Sequence, residues 1–497
     1  VNLHLVLAAP FVAAILGFFL SGTDAKSAQR TSLVLALIIA GISFPLIGAG
    51  MIATKAVTWF SVPVVGTEIK WLLTSDGVSA WLVALLAALV PATLLAAPRI
   101  VGDRMREFAT LVFLMQGCMT GAFLSGDLLM FFGFFEAMLI PSTVLIALFG
   151  GRDRRRAAMT FLLFSLAGSA PMFFSIWWIG LSCQTTELSV VATRLTSQLD
   201  PVFRPWLFGA IALAFLVKLP VVPFHLWQAD AYSEGPAPAS ALLTGVMAKV
   251  GLFGVARILI PLFPVEAARF AGVFVAIGLV TVLVGALLAL QQSEIRRVLA
   301  FSSLSHLGLG LAALFTFRPE AISGVLLLMV AHGLSAAALF FLAGIAETWT
   351  KSSHVDDFGA LASRSPLFAV LFSLAALASI GLPGTAGFVA ELLLLVSVFK
   401  VYGIWVAFAA GITLILSAAY TLRLVQRMLF GAPALPSTER QDLSVSEALG
   451  VAPILVALVL FGFYPSPVLK AARADLLTRL PVASAVATED AAHVAGR

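Results

Sequence analysis

Apolar runs of roughly 18 to 25 residues recur from one end of the chain to the other, each closed by a short cluster of charge, Gly or Pro. As a helix, a run of that length crosses a hydrocarbon core about 30 Å thick. Lipid offers no hydrogen-bond partners, so backbone groups must pair within each segment and helices are forced. The pattern predicts an all-α integral membrane protein of about fourteen spans, near 2–21, 31–50, 77–98, 107–125, 128–149, 157–181, 206–226, 237–260, 268–291, 294–316, 321–346, 365–399, 402–430 and 446–466. No long polar linker interrupts the series, so a soluble catalytic module is not expected, and any chemical energy must come from partners.

Composition agrees: 61% of the 497 residues are apolar and 11% charged, with mean hydropathy +1.05, against about one-quarter charged residues in a soluble domain. The first run lacks a basic flank and a small-residue cleavage site, and reads as a retained helix. The net charge of +5 does not point to nucleic acid, because the basic residues sit in short inter-helix loops. About 16 of them follow odd-numbered spans, among them Arg152, Arg154, Arg155, Arg156, Arg423, Arg427 and Arg440, against about 8 in the opposite loops. Odd loops are therefore expected in the cytoplasm and both termini outside. Cys118 and Cys183 are too few for a disulfide framework or a Cys-based metal or iron–sulfur site.

Six spans each place one ionisable residue near their middle: Glu136, Lys218, Lys249, His306, His332 and Glu391. A central charge costs about 2.5–3.5 kcal/mol on insertion scales, so such groups must pair or meet water. Burial disfavours the charged form of a group and a nearby opposite charge restores it. A Glu136/Lys218 pair whose separation changes is thus a switchable proton site. Histidine titrates near neutrality and suits relay positions. Each residue also has a plainer reading: a structural ion pair for Glu136 and Lys218, a snorkelling Lys249, packing histidines, a protonated and hydrogen-bonded Glu391. The collective pattern favours a proton path.

Two of these spans are interrupted beside their charge. In Lys218-Leu219-Pro220-Val221-Val222-Pro223, Pro220 and Pro223 remove backbone donors; in Gly381-Leu382-Pro383-Gly384, ahead of Glu391, Pro383 and Gly384 do the breaking. Breaks in spans seven and twelve lie five spans apart, an odd offset that inverts topology. Two inverted five-helix repeats are expected, at 107–262 and 263–430, after an N-terminal unit at 1–106 and before a last helix and tail at 431–497.

Phe135-Glu136-Ala137-Met138-Leu139-Ile140-Pro141, Val217 to His225, Ser305-His306-Leu307-Gly308, Ala331 to Ala337 and Gly381 to Glu391 resemble the antiporter-like proton-translocating subunits of NADH:quinone oxidoreductase, most of all the M-type, similar to mitochondrial ND subunit four. The resemblance implies that Glu136 is the paired carboxylate, Lys218 the central and Lys249 the connecting lysine, His306 and His332 the relay, and Glu391 the end of an outward half-channel. It implies sister membrane subunits and lipid as partners, no cofactor in this chain, flavin, iron–sulfur clusters and quinone in partner subunits, and a bacterial cytoplasmic membrane. Many sister and Mrp-type sodium/proton antiporter subunits carry lysine where Glu391 stands. An Mrp-type subunit, or a related hydrogenase or ion-uptake complex, is the alternative. The run Gln228-Ala229-Asp230-Ala231-Tyr232 departs from the family's usual Leu-Pro-Asp-Ala-His and leaves the cytoplasmic entrance divergent.

Overall fold

The computed structural model describes residues 1–22, 24–62, 67–432 and 441–479; Arg440 and the end of the C-terminal tail lie outside them. Helices dominate, in the order α1 (Leu3–Leu20), α2 (Ala25–Ser43), α3 (Gly77–Ala96), α4 (Met105–Leu124), α5 (Leu128–Phe149), α6 (Arg154–Cys183), α7 (Leu188–Gln198), α8 (Arg204–Lys218), α9 (Leu226–Glu234), α10 (Ala237–Leu262), α11 (Ala271–Gln291), α12 (Ile295–Leu314), α13 (Pro319–Thr350), α14 (Pro366–Ser379), α15 (Ala386–Phe430) and α16 (Val445–Phe463). Helical backbone, continuous or broken, occupies each of the fourteen expected stretches. Among the described residues twelve helical segments are long and apolar enough to cross a membrane, and α14 is a shorter apolar helix.

The ends follow local chemistry. Asp24 accepts the Ser27 N–H at 2.9 Å and starts α2 six residues ahead of the expected span. Ser444 and Glu447 form a capping box at α16. Gly403, at φ +78°, divides α15 where spans twelve and thirteen were expected to part.

The arrangement is an inner row wrapped by an outer one. Helices α10 and α13 are buried throughout an 18-residue apolar stretch and α12 nearly so, whereas α1, α2, α6, α11 and α16 keep apolar faces outward. Inner helices approach to backbone contact at glycines. A Cβ on Gly333 of α13 would stand 2.7 Å from the Gly245 oxygen of α10, and one on Gly308 of α12 would stand 2.8 Å from the Gly278 oxygen of α11. A little sheet accompanies the helices. Between α2 and α3 lies a hairpin, β1 (Val57–Val62) antiparallel to β2 (Thr67–Trp71). Its β-branched and aromatic run fits a strand better than a span. Beside it, Asp127 accepts from the Thr186 hydroxyl at 2.6 Å, and Lys70 pairs with Glu187 at 2.9 Å. Burial pushes the Asp127 carboxyl above its usual range, against the Thr186 hydroxyl and backbone N–H groups that favour the charge.

The buried pair Arg257–Asp76, 2.6 Å apart, ties α10 to the N-terminus of α3, where Asp76 also caps Ser79. Removing the cation strands a carboxylate in the interior. Arg257→Ala is expected to destabilise the fold by about 3–5 kcal/mol, read as a lowered thermal midpoint in detergent.

Candidate functional site

The break after α8 leaves backbone groups that its neighbours satisfy. Pro220 offers no N–H, so the Val221 N–H reaches five residues back to the Leu216 oxygen at 3.1 Å. That frees the Val217 oxygen, which accepts from the Trp227 indole at 3.1 Å, and the Val222 N–H donates to Thr281 of α11 at 3.0 Å. The break after α14 repeats the device: the Leu382 N–H reaches back to Leu377 at 3.1 Å, and Gly381 and Gly384 take φ +73° and +95°. The first helix thus runs up to Lys218 before it breaks, and in the second the helix resumes at Ala386, ahead of Glu391.

Lys218 ends α8, 1% exposed. Its ammonium and Oε1 of Glu136 are buried without hydrogen-bond partners among the described residues. The ammonium lies 5.0 Å from the Phe135 ring centroid and 5.7 Å from that of Phe161, and the opposite charge acting on it is that of Glu136. The two form an electrostatic couple rather than a closed ion pair. A Cβ on Gly251 of α10 would stand 2.8 Å from the Leu219 nitrogen, so the helices of Lys218 and Lys249 touch beside both lysines.

The other four groups form a string. Lys249 lies between two π-turns, Leu243–Met247 and Val255–Leu259, of a kind frequent at functional sites. Its Nζ donates to the Thr244 oxygen at 2.5 Å and stands 2.8 Å from Nδ1 of His332. The Gly245–Gly333 crossing, one residue from each of Thr244 and His332, permits that approach. The rings of His332 and His306 are 5.5 Å apart and share the wall of a 10 Å³ cavity with Ser302, Ser303, Ser335 and Ser379. Such a space is about the size of one water. His306 Nδ1 meets Glu391 Oε1 at 2.9 Å. Gly381 makes room for this carboxylate, since a Cβ there would stand 2.5 Å from Oε2.

With a proton on Nδ1 of His306 donated to Glu391, Nε2 becomes an acceptor facing protein interior. With Lys249 donating to Nδ1 of His332, the second ring carries its proton on Nε2. The arrangement can therefore hand a proton from ammonium to imidazole to imidazole to carboxylate with little movement of heavy atoms. His225 lies half-buried in the first break, away from this string. Gln228 and Tyr232, expected at a divergent entrance, are core residues: Gln228 donates to the Ala300 oxygen at 3.1 Å and Tyr232 to the Leu243 oxygen at 3.4 Å. The residues missed in the sequence are small polar ones, Thr244, Ser302 and Ser303, and only their interruption of apolar runs marked them.

A family model described as NADH:quinone oxidoreductase/Mrp antiporter, TM, matches residues 125–417. The chain is 32% identical over 399 residues to NADH-quinone oxidoreductase subunit M of Rickettsia felis, covering 80% of each chain. It is 32% identical over 447 residues to subunit M of Rhodobacter capsulatus, covering 88% of this chain and 85% of that one. A chain of respiratory complex I from Thermus thermophilus superposes with TM-score 0.85 at 31% identity, covering 96% of this chain and 100% of that one. An Mrp complex from Dietzia shares the fold alone, with TM-score 0.82 at 24% identity over 97% of this chain and 52% of that one. With more than half its length inside the family model and these relatives along most of it, the chain belongs to the NADH:quinone oxidoreductase/Mrp antiporter family of transmembrane subunits.

Proposed function

We propose that this chain is the M-type proton-translocating subunit in the membrane arm of a respiratory NADH:quinone oxidoreductase, using Glu136, Lys218, Lys249, His306, His332 and Glu391 as its proton path. The observation that carries the reading is the buried sequence Lys249–His332–His306–Glu391, in which successive groups are in hydrogen-bond contact or share one small polar cavity. A structural use of four such groups would place each against its own partner; linking them end to end serves transfer. Electrons are handled elsewhere, by flavin, iron–sulfur clusters and quinone in partner subunits, so this chain is the non-redox part of a translocase.

The uncontacted pair Glu136/Lys218 is the adjustable element. Bringing the carboxylate toward the ammonium favours a proton on the lysine, and withdrawing it favours release. Moving one charge against 100 mV requires about 2.3 kcal/mol, within reach of a pair whose separation changes in a medium of low dielectric. The matching breaks after Lys218 and before Glu391 support two inverted repeats, 107–262 and 263–430, with one half-channel opening to each side. Basic-residue bias orients the Arg152–Arg156 and Arg423–Arg427 face to the bacterial cytoplasm, with both termini outside. The Mrp-type alternative predicts sodium-dependent transport, and Glu391, where that type carries lysine, weighs against it.

Lys218→Ala and Glu136→Ala in the assembled complex, reconstituted in liposomes, are each expected to lower NADH-driven proton translocation by at least about tenfold; unchanged pumping in either removes the pair from the mechanism. Gly381→Ala tests the far end. It adds a left-handed penalty of about 1–2 kcal/mol and pushes the Glu391 carboxylate off His306, so pumping in the same assay should fall to the level of Glu391→Gln.

A further inference from the structure

Tyr420 is 3% exposed on the last third of α15, and nothing in the relay above uses it. Its hydroxyl donates to Ser302 Oγ at 2.9 Å. Ser302 lies one helical turn before His306 on α12, so the two share a face, and both line the 10 Å³ cavity with His332. Tyr420 also lines a second cavity, about 20 Å³, with Gln292, Arg423 and Arg427. Arg423 is exposed, which places this cavity at the surface, on the face rich in arginine. The phenol thus lines a surface cavity, and its hydroxyl bonds Ser302, which is in the wall of the cavity of the two histidines.

We infer that Tyr420 and Ser302 form a second proton intake, running from the Arg423/Arg427 face to His306 without passing Lys218 or Lys249. The inference rests on the proton-carrying reading of His306 and Glu391. Protons move along it by exchange. As the Ser302 hydroxyl passes its proton across the inner cavity to Nε2 of His306, it takes the proton of Tyr420, and the phenol is reprotonated from the outer cavity. Both oxygens end neutral, and the one added proton resides on the His306–Glu391 pair. Nε2 of His306 is buried without a partner among the described residues, as a receiving atom must be. The relay's second half then draws protons from the same face as Lys218 and discharges them through the break at Gly381–Gly384.

A buried tyrosine bonded to a serine also serves packing alone, and the test separates the two roles. In the intact complex in liposomes, Tyr420→Phe and Ser302→Ala are expected each to slow NADH-driven proton translocation about tenfold and to raise the solvent deuterium isotope effect on turnover, while Ser302→Thr, which keeps the hydroxyl, restores both. A lowered thermal midpoint with wild-type rate and isotope effect assigns the hydroxyls to packing and overturns the intake. Glu391→Gln is measured alongside. If it abolishes pumping while Tyr420→Phe and Ser302→Ala do not alter it, the intake alone fails; if Glu391→Gln also pumps normally, the proton-carrying reading falls and the intake with it. Two single variants in different helices keep the result decisive should one fail to assemble.

Discussion

A charge in hydrocarbon finds no water, and the whole interior is arranged around that cost. The ionisable side chains of the string sit on α10, α12, α13 and the first turns of α15, and the outer helices keep lipid away from them. They are held locally, Lys249 by hydrogen bonds to the Thr244 carbonyl and His332, and His306 by Glu391, as Arg257 is by Asp76. Lys218 is treated differently. Its ammonium rests against the Phe135 and Phe161 rings, and among the described residues the opposite charge acting on it is that of Glu136, which does not touch it. Aromatic faces tolerate a cation without fixing it as tightly as a carboxylate would. Closed contacts make a fixed wire, and the open pair makes a part that can move.

The same solvent constraint governs the backbone. A helix interrupted in lipid must find substitutes for its lost bonds, and here the substitutes come from neighbouring elements: the Trp227 indole and the Thr281 hydroxyl at the first break, five-residue backbone bonds at both. The effect of the breaks is positional. The first leaves Lys218 at a helix end against Gly251 of α10, and the second leaves Gly381 without a side chain where the Glu391 carboxylate lies. Glycine is required at Gly381 twice over, for φ +73° and for the space.

Function follows from continuity rather than from any single residue. A lone buried histidine, lysine or glutamate is an ordinary packing or pairing residue, but a histidine that touches a lysine and shares a cavity with a second histidine that touches a glutamate has the continuity that the proposed conduit needs. The conduit crosses from α10 through α13 and α12 to α15, so it runs across the helices and not along any one of them. That direction starts it at Lys249, whose helix touches the first break at Leu219, and ends it at Glu391, after the second. It also places Ser302 and Tyr420 where a branch meets it from the arginine-rich face.

Hydropathy alone determined that the chain is helical and membrane-bound, because a span's length and apolarity are local properties imposed by the bilayer. It also marked the midplane charges and the Pro and Gly breaks, since both are costly there and stand out against an apolar background. It did not disclose the hairpin Val57–Trp71, whose strands are too short to span and are held by Asp127, Thr186 and Glu187 far along the chain. Nor did it tell that Gln228 and Tyr232 face the core, because a polar residue near a helix break reads as exposed until a carbonyl from another helix meets it. Which of the six charges touch was decided by tertiary structure alone. Glycine crossings such as Gly245–Gly333 set helix separations to within a side chain's reach, and hydrogen bonds between α10, α12, α13 and α15 depend on distances that one-dimensional spacing does not contain.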